Sequence, residues 1–280
     1  KSTYYALYAA LEMARAGSGV QVTASSVAQS YGIPEAVLAK VFQQLVRKGI
    51  AVGTRGTRGG YSLARQSSQV TVLEVIGPAD GVERIASVHV VLMPKEVFLL
   101  ADCAVNIDPT ATQMAEIALL SARMARSLGV EPRVAMLSFS NFGSADHALA
   151  RKVRRATAIA HERDPELVVE GELQLATALD GDIRGRYFPF SSLTQDANVL
   201  VFPDLQSGNL SLHLLEKLGD AVVVGPVLVG TRKPVHVIQY GAPAEDVVHL
   251  ATIGALQAAE LQRLEADTTL SSSAPRLPVR

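Results

Sequence analysis

Residues 49–65 read GIAVGTRGTRGGYSLAR, and this segment decides how the amino-terminal part of the chain folds. Two short apolar runs flank a centre rich in arginine and glycine, a pattern that predicts a β-hairpin. The glycines allow positive φ angles and a close approach of the two strands. Arg55 and Arg58 would project from the hairpin tip, where an arginine suits the narrow minor groove of DNA.

Three helices are predicted before this hairpin, over residues 3–16, 24–31 and 34–48. Thr23 is expected to cap the second helix and Gly32 to end it. Two short helices joined by a tight glycine-containing turn are typical of a helix-turn-helix unit, whose second helix enters the major groove. In the first helix one face is predicted to be buried, formed by Tyr4, Leu7, Tyr8, Leu11 and Ala14.

Residues 1–80 resemble the Rrf-type winged-helix regulators, which include IscR and NsrR. Three segments carry the similarity: YYALYAALEMA (4–14), TASSVAQSYGIPEAVLAKVFQQLVRKGIAVGTRGTRGGYSLAR (23–65) and VTVLEVIG (70–77). The resemblance implies a homodimer that binds palindromic double-stranded DNA. The predicted DNA-binding residues are Glu35, Lys40, Gln43, Gln44, Arg47, Arg55, Arg58, Gly59, Gly60 and Tyr61.

The chain departs from that family at two points. Sensing members hold an iron–sulfur cluster on three cysteines after the hairpin, whereas Cys103 is the single cysteine here, so no such cluster is expected. Members also continue into a long dimerisation helix, which Pro78, Asp80 and Gly81 would interrupt. Dimerisation is therefore expected to come from another part of the chain.

Composition sets the general class of the protein. Of the 280 residues 48% are hydrophobic and 19% charged, which suits folded domains. Residues 1–80 carry eight Lys/Arg against four Asp/Glu (net +4), and residues 81–280 carry eighteen against twenty-three (net −5). The single cysteine excludes a disulfide framework, and the six histidines show no metal-ligand spacing. We expect a cytoplasmic protein with no resident cofactor, metal site or membrane contact.

Strands and helices alternate from Val82 onward, which predicts an α/β domain with a largely parallel sheet. The predicted strands cover residues 88–93, 97–101, 134–139, 199–202 and 221–224. The predicted helices cover residues 109–127, 145–163, 210–218 and 244–266. We expect two domains, at residues 1–80 and 85–266, followed by a disordered tail at 267–280.

Residues 85–262 resemble the phosphate acetyl/butyryl transferases, and most closely the related carboxy-terminal domain of bacterial malic enzymes. The segments that carry this similarity are FLLADCAVNIDPTATQMAEIAL (98–119), RVAMLSFSNFGSA (133–145), VVEGELQLATAL (168–179), NVLVFPDLQSGN (198–209) and VGPVLVGTRKPVHVI (224–238). The resemblance implies a three-layer α/β lobe of the phosphotransacetylase (isocitrate-dehydrogenase-like) type. Most of one lobe of that two-lobed family is absent, and the winged helix stands in its place.

That family moves an acyl group between phosphate and coenzyme A. Its pattern after the Lys-Pro-Val segment is Ser-Arg-Gly, with an Asp five residues after that Gly; here Gln239 and Tyr240 replace Ser and Arg, and Asp246 is kept. Without the arginine a phosphate loses its main charge-assisted partner, so we expect no catalytic residues and little transferase activity. Gln239, Tyr240 and Asp246 remain possible ligand-binding residues for acetyl-CoA or an acyl-phosphate.

A second possible ligand site is the turn Asn141, Gly143 and Ser144, between a predicted strand and a predicted helix. Backbone N–H groups at a helix start favour anions. The alternative is an ordinary turn in which Ser144 caps the helix. Asp102, Asp108 and Glu172 also belong to the family motifs, although they could serve as structural hydrogen-bonding groups only.

The leading functional interpretation is a DNA-binding transcriptional regulator whose acyltransferase-like domain dimerises and senses an acyl-phosphate or acyl-CoA. The first alternative is a degenerate phosphate acyltransferase, or a regulatory acetyl-CoA-binding domain of the malic-enzyme type. The second is a fusion without an evolved role, which would leave an exposed apolar face where the missing lobe docks.

Overall fold

The computed structural model describes residues 2–56, 59–70, 74–75, 79, 82–94, 96–219, 221–238 and 242–272. The chain divides into two compact units, a smaller one over Lys1–Pro78 and a larger one over Ala79–Arg280. Over the described ranges, none of the helices combines the length and the apolar character that crossing a bilayer requires.

The smaller unit consists of three helices followed by a hairpin. Its elements are α1 (Ser2–Ala16), α2 (Ala24–Tyr31), α3 (Glu35–Arg47), β1 (Ala51–Thr54), β2 (Gly60–Leu63) and a short 3-10 turn (Ser67–Gln69). The Thr23 side chain accepts from the N–H of Ser26 at 3.0 Å, and Gly32 ends α2 with φ 62°. Strands β1 and β2 pair antiparallel with Ala51 opposite Leu63, so the predicted hairpin is present.

The buried face of α1 differs from the predicted one. Ala6, Ala9 and Met13 enter the core beside α3, whereas Leu11 is 43% exposed. Both faces of this helix are largely apolar, so periodicity alone does not choose between them. The small side chains of Ala6 and Ala9 let α1 approach α3 closely, and this contact selects the face.

The larger unit is built on a mixed six-stranded sheet. Its strands are β3 (Ala86–Leu92), β4 (Val97–Ala101), β5 (Arg133–Leu137), β6 (Val168–Leu173), β7 (Val199–Val201) and β8 (Val222–Val229). Their order is β6-β5-β7-β4-β3-β8. The first four strands in that order run parallel, and β3 is antiparallel to both β4 and β8. Strand β6 was not predicted, because two glutamates and a glycine interrupt its apolar pattern.

Helices cover both faces of this sheet and make three layers. They are α4 (Ala111–Ser127), α5 (Ala148–Arg163), α6 (Leu175–Ala178), α7 (Gly181–Tyr187), α8 (Leu205–Leu218) and α9 (Ala244–Ser272). One core joins the sheet to α4, α5 and α9, and a second joins its other face to α6 and α8. The predicted α/β layer structure is therefore confirmed.

Helices α8 and α9 show the largest differences from their predicted bounds, each at one end. Helix α8 begins five residues early, because the Asp204 carboxylate accepts from the N–H of Ser207 at 2.8 Å and caps it there. Helix α9 continues to Ser272, six residues beyond its predicted end at residue 266. The disorder predicted from residue 267 stays a prediction. Residues 273–280 of the predicted tail lie outside the described residues.

Candidate functional site

A cleft of about 440 Å³ opens in the larger unit beside strands β3 and β8, helix α8 and the start of α9. Its polar lining residues are His89, Asn209, His213, Glu216 and Asp246. Neither lysine nor arginine is found among the described residues that line it. Among the described lining residues, an anionic ligand would therefore find dipoles and hydrogen-bond donors but no Lys or Arg side chain.

The turn after β4 is fixed by the buried carboxylate of Asp102. This group accepts hydrogen bonds from the backbone N–H groups of Ala104 and Val105, each at 3.0 Å, and from Ser87. It also accepts from the N–H and the side-chain amide of Asn106, at 3.0 and 2.6 Å. These bonds hold Cys103 and Ala104 against the cleft, so the role of Asp102 is structural.

Cys103 lies in the cleft wall as a protonated thiol. Its side chain is fully buried, and this burial raises the pKa of the thiol far above its usual value. A thiol is nucleophilic only after it loses its proton. Cys103 therefore serves as a packing residue in this cleft.

His89 lies on β3 at the inner wall of the cleft. Its side chain is only 5% exposed, and its Nδ1 is enclosed without a hydrogen-bond partner among the described residues. Burial lowers the pKa of the imidazole to about 4, so the ring is neutral at physiological pH. Gly225 of β8 packs against this ring: a Cβ at that position would lie 2.7 Å from the ring's Cδ2 atom.

The stability of the larger unit is expected to fall as the pH decreases from about 6.5 towards 4. In this range the imidazole of His89 takes up a proton in the unfolded chain, whereas burial keeps it neutral in the folded chain. The free energy of unfolding then falls by roughly 1.4 kcal/mol per pH unit for this group. Burial also lowers the pKa of His236, so this group too makes the free energy of unfolding fall as the pH decreases.

Urea unfolding followed by circular dichroism at pH 7 and pH 5 measures this effect. Because His89→Phe cannot take up the proton, the variant should lose less stability than the wild type between the two pH values. An equal loss in both proteins would contradict the prediction.

Asp246 stands in the first turn of α9 and lines the cleft. Ile238 and Ala242, which flank residues 239–241 in the chain, line the cleft as well. Gln239 and Tyr240 themselves lie outside the described residues. Of the three predicted ligand residues in this segment, Asp246 is therefore the one whose position the structure gives.

The turn at residues 140–145 has no free N–H group for a ligand. Every backbone N–H from Ser140 to Ala145 donates a hydrogen bond within the chain. Asn141 Oδ1 accepts from the N–H of Gln174 at 2.7 Å, and the N–H of Gly143 donates to Glu172 at 2.8 Å. The anion at this turn is thus the chain's own Glu172 carboxylate. Asn141, Gly143 and Ser144 are already engaged in hydrogen bonds within the chain.

The alternative prediction for this turn, with Ser144 as the helix cap, is wrong. Helix α5 begins at Ala148, and His147 caps it through Nδ1, which accepts from the N–H of Leu149 at 3.2 Å. The Ser144 hydroxyl accepts instead from the N–H of Asn141 at 2.9 Å. Ser144 thus closes the turn that precedes the helix, and it does not cap the helix itself.

Glu172 is fully buried and fully hydrogen-bonded. Its carboxylate accepts from Arg154 Nε and Nη2 at 2.9 Å each, from the Ser140 hydroxyl at 2.9 Å and from the N–H of Gly143. Burial raises the pKa of the carboxyl, but the hydrogen bonds from Arg154, Gly143 and Ser140 outweigh it and lower the pKa to about 2. Glu172 therefore links strand β6 to Arg154 of helix α5 through hydrogen bonds. Asp108, by contrast, forms an exposed ion pair with Lys152 at 2.8 Å.

In the smaller unit, most of the predicted DNA-binding side chains are exposed. The exposed ones are Glu35, Lys40, Gln43, Gln44 and Arg47 on α3, and Arg55 after β1. Arg58 lies outside the described residues. Gly59 and Gly60 are half-buried, and a Cβ on Gly60 would lie 2.8 Å from the Val22 carbonyl oxygen. Tyr61 stacks on Phe42 with ring centroids 4.3 Å apart, so it packs on the core of this unit.

Comparison with known proteins shows which family the chain is similar to. The model of the phosphate acetyl/butaryl transferase family matches residues 60–255. The phosphate acetyltransferase of Clostridium acetobutylicum is 36% identical over 231 residues, which cover 77% of this chain and 69% of that enzyme. The phosphate acetyltransferase of Escherichia coli is 40% identical over 190 residues, or 68% of this chain. This chain spans only about a quarter (27%) of the length of that relative.

A solved structure gives the same result for the fold. The phosphotransacetylase from Streptococcus pyogenes matches with a TM-score of 0.65 and 41% sequence identity, covering 67% of this chain and 58% of that one. The predicted phosphotransacetylase-type α/β fold is therefore confirmed.

Proposed function

We propose, because the chain belongs to the phosphate acetyl/butaryl transferase family, that its larger unit is a phosphate acyltransferase. The reaction would move an acyl group between phosphate and coenzyme A, and the name of the relatives, phosphate acetyltransferase, favours an acetyl group. One observation carries this proposal: Asp246, the acid that the family pattern keeps, lies in the cleft together with both residues that flank 239–241.

The chemistry requires a base for the thiol of coenzyme A. The Asp246 carboxylate takes the thiol proton, and the thiolate sulfur attacks the carbonyl carbon of the acyl phosphate. A carbon–sulfur bond forms, the bond from that carbon to the phosphate oxygen breaks, and phosphate leaves with the electron pair. The proton then passes from Asp246 to phosphate, which restores the carboxylate.

The start of α9 lies at the edge of this cleft, which Pro243 and Asp246 line. Its first turn carries two carboxylates, Glu245 and Asp246, beside the backbone N–H groups of the helix start. Unpaired N–H groups at a helix start bind phosphate in many proteins. We therefore propose that backbone N–H groups take the place of the arginine that the family pattern has at position 240.

The interpretation of the chain as a DNA-binding transcriptional regulator is wrong, and so is the expectation of little transferase activity. Relatives at about 40% identity across 190 residues are phosphate acetyltransferases, and the family match begins at residue 60. The prediction gave too much weight to two replaced residues, Gln239 and Tyr240. It gave too little to the similarity along the whole α/β domain.

The finer assignment of the smaller unit to the winged-helix fold remains a proposal. It is supported by the succession of α2, the Gly32 turn, α3 and the β1–β2 hairpin. The backbone N–H of Val22 donates to the Tyr61 carbonyl oxygen and the N–H of Tyr61 to that of Val22, both at 2.8 Å. This antiparallel bridge places Val22 beside the hairpin as a third extended segment. Nuclear Overhauser contacts between these two residues would test the arrangement, and their absence would contradict it.

A homodimer is also proposed, with its contact on helix α8. Leu210, Leu214 and Leu218 follow one another at four-residue intervals and are 57%, 58% and 82% exposed. An apolar stripe of this kind on one helix face is typical of a surface that another molecule covers. Light scattering on the purified chain measures the mass, and a monomer at micromolar concentration would contradict the proposal.

The acyltransferase proposal is tested by incubating the full chain with acetyl phosphate and coenzyme A. We expect acetyl-CoA to form, which thioester absorbance follows directly. If both ligands bind in calorimetry and no thioester forms, the acyltransferase proposal fails and the chain binds these ligands without turning them over. If neither ligand binds, the cleft is not the substrate site.

A further inference from the structure

We propose that His89 is a catalytic residue in this cleft, whose ring nitrogen donates a hydrogen bond to the carbonyl oxygen of the acyl group. The inference rests on the acyl transfer proposed above and adds a residue that the family motifs do not include. It begins from a buried polar group that the fold leaves unsatisfied.

The imidazole of His89 is enclosed more than nine-tenths, yet no hydrogen bond within the described chain satisfies it. Of the two ring nitrogens, Nδ1 is closed to solvent and has no partner among the described residues, whereas Nε2 is not closed off in this way. Because the ring lines the cleft, Nε2 is the nitrogen that a ligand can reach.

The packing holds this ring in one orientation. Gly225 on β8 lies so close that a Cβ there would be 2.7 Å from Cδ2 and 3.1 Å from Cγ of the ring. Its backbone also has φ 152°, so both space and conformation favour glycine at this position. A donor that is fixed before the substrate arrives costs no reorganisation during the reaction.

The surroundings of His89 favour a neutral partner over a phosphate. The cleft lining includes the apolar side chains of Cys103, Leu212, Val223 and Leu250, and the carboxylates of Asp102 and Glu216 are the negative charges that act on the ring. Burial keeps the pKa of the ring at about 4, so it offers a neutral N–H and no positive charge. A phosphate dianion would be uncompensated there, whereas a carbonyl oxygen accepts a single N–H bond.

The same N–H gains strength as the reaction proceeds. When the thiolate attacks the carbonyl carbon, the electron pair of the C=O bond moves to oxygen, which becomes negatively charged. The His89 N–H stabilises this oxyanion, and the pair returns to carbon as the phosphate leaves. A donor aimed at the developing charge stabilises the transition state more than the bound substrate.

Kinetics of three substitutions test the proposal. His89→Phe removes the donor at similar size, and kcat should fall by about 10²–10³-fold with little change in KM, as for loss of one oxyanion donor. His89→Gln should recover part of the rate, because the Gln amide nitrogen can occupy the place of Nε2. His89→Asn, whose amide nitrogen corresponds to Nδ1, should not. His249→Phe, an exposed position on α9, is the control and should retain the wild-type rate.

The outcome separates this inference from the proposed function. If the wild type turns over and His89→Phe keeps kcat within about twofold, the inference is overturned while the acyltransferase proposal stands. If the wild type does not turn over, the inference is tested by titrating the protein with acetyl-CoA and following the nitrogen-15 NMR signals of its imidazole groups. A shift of the His89 Nε2 signal would support the hydrogen bond to the acyl oxygen, and no shift would overturn it.

Discussion

Replacing Asp246 by Asn is expected to lower kcat for acyl transfer by about 10²–10⁴-fold, the usual contribution of a general base. The asparagine amide has the size of the carboxylate but cannot take the thiol proton. The substrates still contact the same cleft, so KM should change much less than kcat. Thioester formation from acetyl phosphate and coenzyme A measures both constants.

The matched control is Glu245→Gln, which neutralises the neighbouring carboxylate in the same helical turn. Glu245 is exposed and does not belong to the cleft lining, so this variant should keep the wild-type rate. The deficit of Asp246→Asn should also shrink at higher pH, because a thiol with a pKa near ~8.5 then ionises without a base. Equal rates for wild type and Asp246→Asn at neutral pH would remove Asp246 from the mechanism.

Replacing Glu172 by Gln is expected to lower the free energy of unfolding of the larger unit by about 3 kcal/mol, which is the lower end of the usual range for removing one partner of a buried ion pair. The lower end applies because Arg154 is 47% exposed and water can solvate its charge. The glutamine amide would place N–H donors against the N–H of Gly143 or the guanidinium of Arg154. Urea unfolding followed by circular dichroism measures the loss.

The pH dependence of this variant provides a second readout. Because the folded pKa of Glu172 is about 2 and its usual value 4.5, its stabilisation is complete above pH 4.5 and disappears as the pH falls towards 2. The difference between wild type and Glu172→Gln should therefore shrink in acid. Glu166→Gln, at an exposed carboxylate just before β6, is the control and should change stability by less than about 0.5 kcal/mol. A loss that is the same at pH 3 and pH 7 would contradict the role of the charge.

The elements that could be predicted from the sequence are those with a local cause. Helix α2 was predicted within its true bounds because Thr23 and Gly32, its cap and its stop, are both adjacent in the chain. Strand β4 follows from a continuous apolar run, and helix α4 from the helical spacing of its apolar residues, although it begins two residues later than predicted. Such signals act through hydrogen bonds and φ angles of neighbouring residues, so a single sequence contains them.

The features that the sequence did not reveal depend on contacts at a distance. Asn141, Gly143 and Ser144 were offered as a possible anion site because they precede a helix, and the structure adds that the N–H of Gly143 donates to the Glu172 carboxylate on another strand. His89 gave no signal at all, since it stands within an apolar strand and becomes conspicuous only when Gly225 and the cleft enclose it.

The sequence by itself determined the two-part organisation, the α/β class and the segments that carry the family likeness, since these depend on residue type, periodicity and order. The tertiary structure alone decided which face of α1 is buried, which carboxylates are structural and which line the cleft. Asp102 and Glu172 are surrounded by N–H donors and are held within the fold, whereas Asp246 reaches the cleft. The difference arises because burial and hydrogen-bond partners depend on segments far apart in the chain, which no local pattern records.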